Sequence, residues 1–269
     1  MKRAMMALGA AIAAGYLVAL AALWLAQRDL FFLPSGESVQ PAEADLPQAT
    51  PVDVRTLDGE RLRAWHIEPK QGRLLFLYLP GNGGSLADRA RRFRALTARG
   101  DGLFAIAWRG YPGSTGEPSE EGLARDADAA LAHALSLGHR PSGVVIVGES
   151  LGAAVGVALA ARRQVGALIL EAPFSSAADV AADIYWMFPV RLMMSDPFRA
   201  DEKIGHVRAP VLMVHGTRDP VTPIRFGRRL FDLARQPKTF LEAPAAGHAA
   251  LDATMDKALD WAEKTLSVR

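Results

Sequence analysis

Gly148-Glu149-Ser150-Leu151-Gly152 sits between the β-branched run Val144–Val147 and a train of alanines that begins at Ala153. A glycine two positions either side of a serine suits a turn too tight for a Cβ, the kind that lifts a hydroxyl out of a sheet where a buried strand becomes a helix. The competing view is a Gly-Ser turn without chemistry. A serine hydroxyl is a poor nucleophile at neutral pH and needs a positioned base, which a carboxylate must in turn orient. On an elbow of this kind the partners follow in the order Ser, Asp, His.

Six histidines are available. His66 falls inside an expected strand, His133 and His139 belong to or follow a helix ahead of the elbow, and His206 precedes the strand that should carry the acid. His215 ends that strand, in His215-Gly216-Thr217-Arg218-Asp219, and is expected to shape the loop. That leaves His248, in the loop Pro244–Ala250 after the last strand, as the histidine free to swing toward Ser150 and act as base, the alternative being an exposed loop histidine. Asp219 follows Val211–Val214 on a loop stiffened by Pro220 and Pro223, where a carboxylate can hold an imidazole in one tautomer. Its alternative use is as N-cap of a helix beginning near Thr222. Asp201 and Glu202 are the fallback acids, in a charged stretch that reads as a solvated loop.

A developing oxyanion needs preorganised donors. The Leu151 backbone N–H, at the start of the elbow helix, is one. The second is expected from Leu79-Pro80-Gly81-Asn82-Gly83-Gly84, with the Asn82 N–H as first choice and Gly83 as alternative. The same glycines do not read as a phosphate cradle, because neither Lys-Ser/Thr nor a G-x-G-x-x-G helix opening follows them.

The elements that must carry these residues alternate. Strands are expected at Val52–Thr56 and Leu62–Ile67 across an Asp58-Gly59 turn, then at Leu74–Leu79, Leu103–Trp108, Val144–Val147, Ala167–Glu171, Val211–His215 and Thr239–Leu241. Helices are expected near Leu86–Arg99, Glu120–Leu137, from Leu151, near Thr222–Ala234 and from about Ala250. Strand–helix alternation implies a mostly parallel sheet covered on both faces, with chemistry at the carboxyl ends of the strands. Arg89, Arg91, Arg92 and Arg94 crowd one expected helix and read as a solvated face, with contact to anionic headgroups as the alternative.

The chain has 269 residues, half of them hydrophobic, enough for one full core. Its +2 charge, from 31 basic and 29 acidic residues, gives no support to nucleic-acid binding. The absence of cysteine excludes disulfides, thiolate nucleophiles and Cys-ligated metals. From Ala4 to Ala26 no charge occurs, and a helix of that length rises about 35 Å, enough to cross a hydrocarbon core. Lys2 and Arg3 precede it, whereas Arg28 beside Asp29 follows, so the charge bias puts the N-terminus in the cytoplasm and the body outside, in the periplasm of a bacterium. A cleaved signal peptide is the competing reading, disfavoured by the length of the run and by Trp24 in Trp24-Leu25-Ala26. Residues 1–28 are thus an anchor, 29–51 a proline-punctuated linker or strap, and 52–269 the globular domain.

Between Glu171 and Val211 the connection is unusually long. Residues 173–208 are expected to form a small cap over Ser150, with Tyr185, Trp186, Phe188 and Met193 as an adaptable apolar wall, or else simply packing the cap onto the core.

Taken together, these motifs resemble the α/β-hydrolases, within them the membrane-anchored ABHD-type branch with lipase-like and depalmitoylase-like members. The resemblance rests on the elbow, on Gln27–Pro34, on Arg109-Gly110-Tyr111-Pro112-Gly113-Ser114-Thr115-Gly116, on Glu171-Ala172-Pro173-Phe174-Ser175-Ser176, on His215–Asp219 and on Gly247-His248. The chain departs from the family pattern at Pro80-Gly81-Asn82, where His-Gly-Asn is usual, and at Trp108. The resemblance implies an eight-stranded α/β-hydrolase fold with a Ser150–Asp219–His248 triad and an oxyanion hole from Leu151 and Asn82. The expected activity is hydrolysis of carboxylic esters or thioesters, with a lipid-like ester as substrate and neither metal nor organic cofactor. A peptidase or amidase of the same fold, and a membrane-tethered binding protein without chemistry, are the alternatives.

Overall fold

The structure, a computed structural model, describes residues 1–267. Its elements in chain order are α1 (Lys2–Phe31), β1 (Leu33–Pro34), β2 (Thr50–Arg55), β3 (Arg61–Ile67), β4 (Leu75–Leu79), β5 (Gly83–Gly84), α2 (Ala90–Thr97), β6 (Gly102–Ile106), α3 (Glu120–Ser136), β7 (Val144–Glu149), α4 (Leu151–Ala160), β8 (Ala167–Glu171), α5 (Ala177–Ile184), α6 (Val190–Met193), α7 (Ala200–Lys203), β9 (Val211–Gly216), α8 (Ile224–Leu233), β10 (Lys238–Ala243) and α9 (Met255–Ser267).

Eight strands form one sheet in the order β10-β9-β8-β7-β4-β6-β3-β2. The six from β10 to β6 are parallel, while β3 runs antiparallel to both β6 and β2. The apolar runs of β4, β6, β8 and β9 are buried along their whole length, as strands covered on both faces must be. From β4 the chain first steps to β6 on one side and then returns to β7 on the other. That reversal opens a crevice at the carboxyl ends of β4 and β7, where Leu79 and Gly148 are register partners.

Two helix boundaries depart from the sequence expectation, and the proline-rich stretch takes its strap form. Helix α1 does not stop at Ala26 but runs to Phe31, and Pro34 ends it by disfavouring helical backbone at Leu33. The helix expected from about Ala250 begins only at Met255, and residues 250–254 form turns in which the Leu251 N–H donates to Glu171 Oε1 at 2.7 Å. The proline-rich stretch lies on the domain: Leu46 is fully buried, and Leu33–Pro34 pairs in parallel with Gly83–Gly84.

Short helices α5, α6 and α7 fill the long connection between β8 and β9. Helix α1 docks on them. Tyr16 donates its hydroxyl to the Met187 carbonyl at 2.9 Å and stacks on Phe188, Arg28 Nε meets Asp196 Oδ2 at 2.8 Å, and Gln27 Oε1 accepts from the Ser195 N–H at 2.7 Å.

Candidate active site

Ser150 joins β7 to α4 with φ 51° and ψ −107°, a backbone conformation that costs a non-glycine residue about 1–3 kcal/mol. The surroundings hold it there. Its N–H donates to the Glu171 carbonyl of the adjacent strand at 2.9 Å, and the two flanking glycines are obligatory. A Cβ at Gly152 would lie 1.9 Å from the Leu79 carbonyl oxygen, and one at Gly148 would lie 2.6 Å from the Gly152 carbonyl oxygen. The sequence pattern therefore has a steric cause: α4 starts in contact with the end of β4. Ser150 Oγ makes no hydrogen bond among the described residues. Such contacts in unliganded sites are often loose and tighten on substrate binding.

Asp219 and His248 are brought together. Asp219 Oδ1 accepts the N–H groups of Val221 at 2.8 Å and Thr222 at 2.9 Å, and Oδ2 accepts from His248 Nδ1 at 2.8 Å. The N-cap use is not realised, because α8 starts only at Ile224 with Pro223 at its cap; the carboxylate instead organises its own turn with one oxygen and orients an imidazole with the other. Burial disfavours the Asp219 anion, but the His248 hydrogen bond and the two amides outweigh it and hold the group below its ordinary value. Burial likewise disfavours the His248 cation, yet the Asp219 hydrogen bond and charge, with Glu171 and Glu149 beyond, raise its pKa above 6.5. The bond at Nδ1 leaves Nε2 for proton exchange.

The loop after β4 is fixed on every side. Trp108 Nε1 donates to the Pro80 carbonyl at 2.9 Å, so the two departures from the family pattern are partners. The Asn82 carbonyl accepts from Tyr111 Oη at 2.9 Å and from the Leu33 N–H at 3.2 Å, and the Asn82 side-chain amide donates to the Phe31 carbonyl at the end of α1. These bonds engage the side chain and carbonyl of Asn82. Leu151 is the first residue of α4, whose opening N–H groups have no intrahelical acceptor.

Beneath the elbow lies a buried ion network that the sequence reading missed. Glu149 and Glu171, register partners at the ends of β7 and β8, are two carboxylates side by side. Arg89 grips Glu149 through Nε at 2.7 Å and Nη2 at 2.8 Å and also donates to the Gly83 carbonyl at 2.8 Å. Arg92 pairs with Glu171, bonds Asp252 Oδ1 at 2.7 Å and donates to Tyr78 Oη at 3.0 Å, while Tyr78 donates to Glu149 at 2.5 Å. The expectation of a solvated arginine face therefore fails for Arg89 and Arg92, whose side chains are 11% and 8% exposed; Arg91 stays exposed. Burial opposes the Glu149 anion, but Arg89 and Arg92 pull its pKa down to about 2, whereas burial of Glu171 prevails over Arg92 and lifts it to about 7. Gly81 is forced by the same contact, since a Cβ there would lie 2.7 Å from Glu149 Oε1. Arg89 thereby ties the loop after β4 to the elbow.

Tyr185, Phe188 and Met193 line an apolar cavity of about 120 Å³ between the cap and α1, together with Leu23, Leu30 and Phe31 of that helix. Trp186 is not among its lining residues and stands 78% exposed. His215 is fully buried, with Nε2 at 2.8 Å from the Thr222 carbonyl, and does shape the loop. The fallback acid Asp201 bonds Arg199, and Glu202 pairs with the same arginine. Arg109, singled out in the loop after β6, is held by Asp126 and Asp58.

Comparison with known proteins converges on the same architecture. Residues 189–263 match the hydrolase family described as TAP-like protein. The uncharacterized protein Rv2307c of Mycobacterium tuberculosis is 38% identical over 84% of this chain and 82% of its own. The human alpha/beta hydrolase domain-containing protein 17B is 33% identical over 72% of this chain and 67% of its own. Among solved structures, the esterase Pf2001 of Pyrococcus furiosus superposes with a TM-score of 0.68 at 16% identity, over 88% of this chain and 97% of that one. With an eight-stranded, mostly parallel sheet of esterase-like topology and these relatives, the chain belongs to the α/β-hydrolases of the ABHD type.

Proposed function

We propose that the protein is a membrane-anchored serine hydrolase that cleaves carboxylic esters or thioesters. The observation that carries this reading is the Asp219–His248 bond of 2.8 Å, held on the loops after β9 and β10, with Ser150 raised on the strained elbow two strands away. His248 Nε2 takes the Ser150 proton as Oγ bonds to the substrate carbonyl carbon. The negative oxygen is met by the Leu151 and Asn82 N–H groups, and as the intermediate collapses His248 returns the proton to the departing alcohol or thiol. Water then attacks the acyl-enzyme, gives its proton to His248, and Ser150 leaves with that proton restored.

Support for a lipid-like acyl group comes from the apolar cap, where Tyr185, Phe188 and Met193 line the cavity against α1. Support for anchoring comes from α1, none of whose apolar window is buried, and from its contacts to the cap at Tyr16, Gln27 and Arg28. With Lys2 and Arg3 ahead of the span, the hydrolase domain faces the non-cytoplasmic side. Hydrolysis of nitrophenyl esters of rising chain length by wild type and Ser150→Ala tests the reading. It expects turnover by wild type, retained at long chains and lost in the variant; equal turnover by both, or none by wild type, overturns it.

A further inference from the structure

The exposed face of the cap is apolar where a water-facing loop should not be. Ile184, Trp186, Met187 and Leu192 are 62%, 78%, 60% and 89% exposed; Arg191 among them is paired with Asp179, and Met187 meets Tyr16 of α1, which buries none of its residues. Exposed apolar surface of this extent on a soluble domain marks an interaction site. The contact point along α1 fixes which one. Ten residues of helix, about 15 Å of rise, separate Tyr16 from Ala26, the end of the uncharged span, and a hydrocarbon core is about 30 Å thick. Met187 and Phe188, which meet Tyr16, therefore sit near half depth if the span fills the bilayer. The Tyr16 hydroxyl bonded to the Met187 carbonyl is what such a position demands, since an unpaired polar group in hydrocarbon is costly. Arg28 and Gln27, bonded to Asp196 and Ser195, then fall at the interface.

We propose that residues 184–194 are embedded in the outer leaflet against α1, and that the cavity between them receives one acyl chain of a bilayer lipid directly from that leaflet. The inference rests on the anchored-esterase reading and names its substrate class and route. The cavity walls are apolar from Leu23 to Met194, apart from Gln27, which is occupied by Ser195. The cavity opens to the surroundings, so the outer part of a long chain stays in the lipid. Phe31 lines the cavity, and its carbonyl accepts from the Asn82 side chain. A chain in the groove thus approaches the loop that carries the proposed oxyanion donor.

The absence of native cysteine makes the test clean. Nitroxide labels at Met187→Cys and Leu192→Cys in protein reconstituted into phosphatidylcholine vesicles should be accessible to oxygen and shielded from a water-soluble nickel complex, with a label at exposed Leu57→Cys behaving oppositely. Nickel accessibility equal at all three positions would overturn the embedding, whether water or a protein partner normally covers the cap. Groove-filling Ala181→Phe and Met193→Trp should each lower the ratio of kcat/KM for a palmitoyl ester to that for a butyryl ester by about 10-fold. Fluorophosphonate labelling of Ser150 reports that each variant is folded. An unchanged ratio in labelled variants refutes the acyl groove while leaving the esterase standing; failure of wild type to cleave either ester refutes the esterase itself.

Discussion

The side-chain amide of Asn82 donates to the main-chain carbonyl of Phe31, so α1 ends on the loop that follows β4. Leu33, two residues on, donates to the Asn82 carbonyl, and the pairing of Leu33–Pro34 with Gly83–Gly84 extends the brace. Asn82→Ala removes the side-chain half of this brace and keeps the backbone donor. The expected result is a kcat for a short ester reduced by about 10- to 100-fold, below the 10²–10³ of deleting an oxyanion donor outright, with KM little altered. An unchanged kcat would detach the loop from catalysis.

The elbow glycines set a sharper structural test. Gly152→Ala places a methyl carbon 1.9 Å from the Leu79 carbonyl oxygen, backbone against backbone, with no flexible side chain to yield. Destabilisation by at least about 3 kcal/mol, or failure to fold, is expected in urea titration. A soluble variant of wild-type stability would mean that α4 does not start against β4 as described.

Arg89 and Glu149 form a pair in which both side chains are mostly buried. Arg89→Met should cost about 3–5 kcal/mol because it strands the Glu149 carboxylate, whereas adding Glu149→Leu to it should recover part of that loss. Urea titrations of the two singles and the double provide the coupling energy. Strict additivity would contradict the network.

Proton transfer at His248 has a definite sign with pH. The imidazole must be neutral to act as base, and its pKa in the fold lies above 6.5, so kcat/KM should rise with pH through a midpoint above that value. Asp219→Asn removes the hydrogen-bonding anion and leaves burial, which moves the midpoint downward and lowers the rate by about 10⁴-fold. The stabilising contribution of the charged His248 is fully present below its unfolded value of 6.5 and is lost as pH rises through the folded one. That of the Asp219 anion is present above its unfolded value and is lost as pH falls through its depressed folded one. The urea-midpoint gap between wild type and His248→Ala should accordingly narrow from about pH 6 to about pH 9. A gap that widens over that range contradicts the assignment.

Local features of the chain were legible before any coordinates. The elbow is encoded within nine residues, Val144–Gly152, and the inner strands of the parallel sheet announce themselves as apolar runs, whereas the edge strand β10, Lys238–Ala243, mixes polar and apolar residues. Asp219 and His248 were findable because each follows an expected strand on its own loop. What stayed hidden depends on partners distant in sequence. Arg89 and Arg92 read as a charged helix face because their carboxylates lie 60 and 79 positions away, at strand ends brought side by side only by the sheet register. Ahead of α9, Leu251 donates to Glu171, 80 positions away. Glu149, without a derivable use in sequence, is the acceptor that holds Arg89 across the base of the site.

The most direct measurement is fluorophosphonate labelling of the purified protein in lipid vesicles, followed by peptide mass spectrometry. The adduct is predicted on the peptide containing Ser150, absent in Ser150→Ala and slowed by orders of magnitude in His248→Ala. An adduct on another residue, or equal labelling of all three proteins, would contradict Ser150 as the nucleophile.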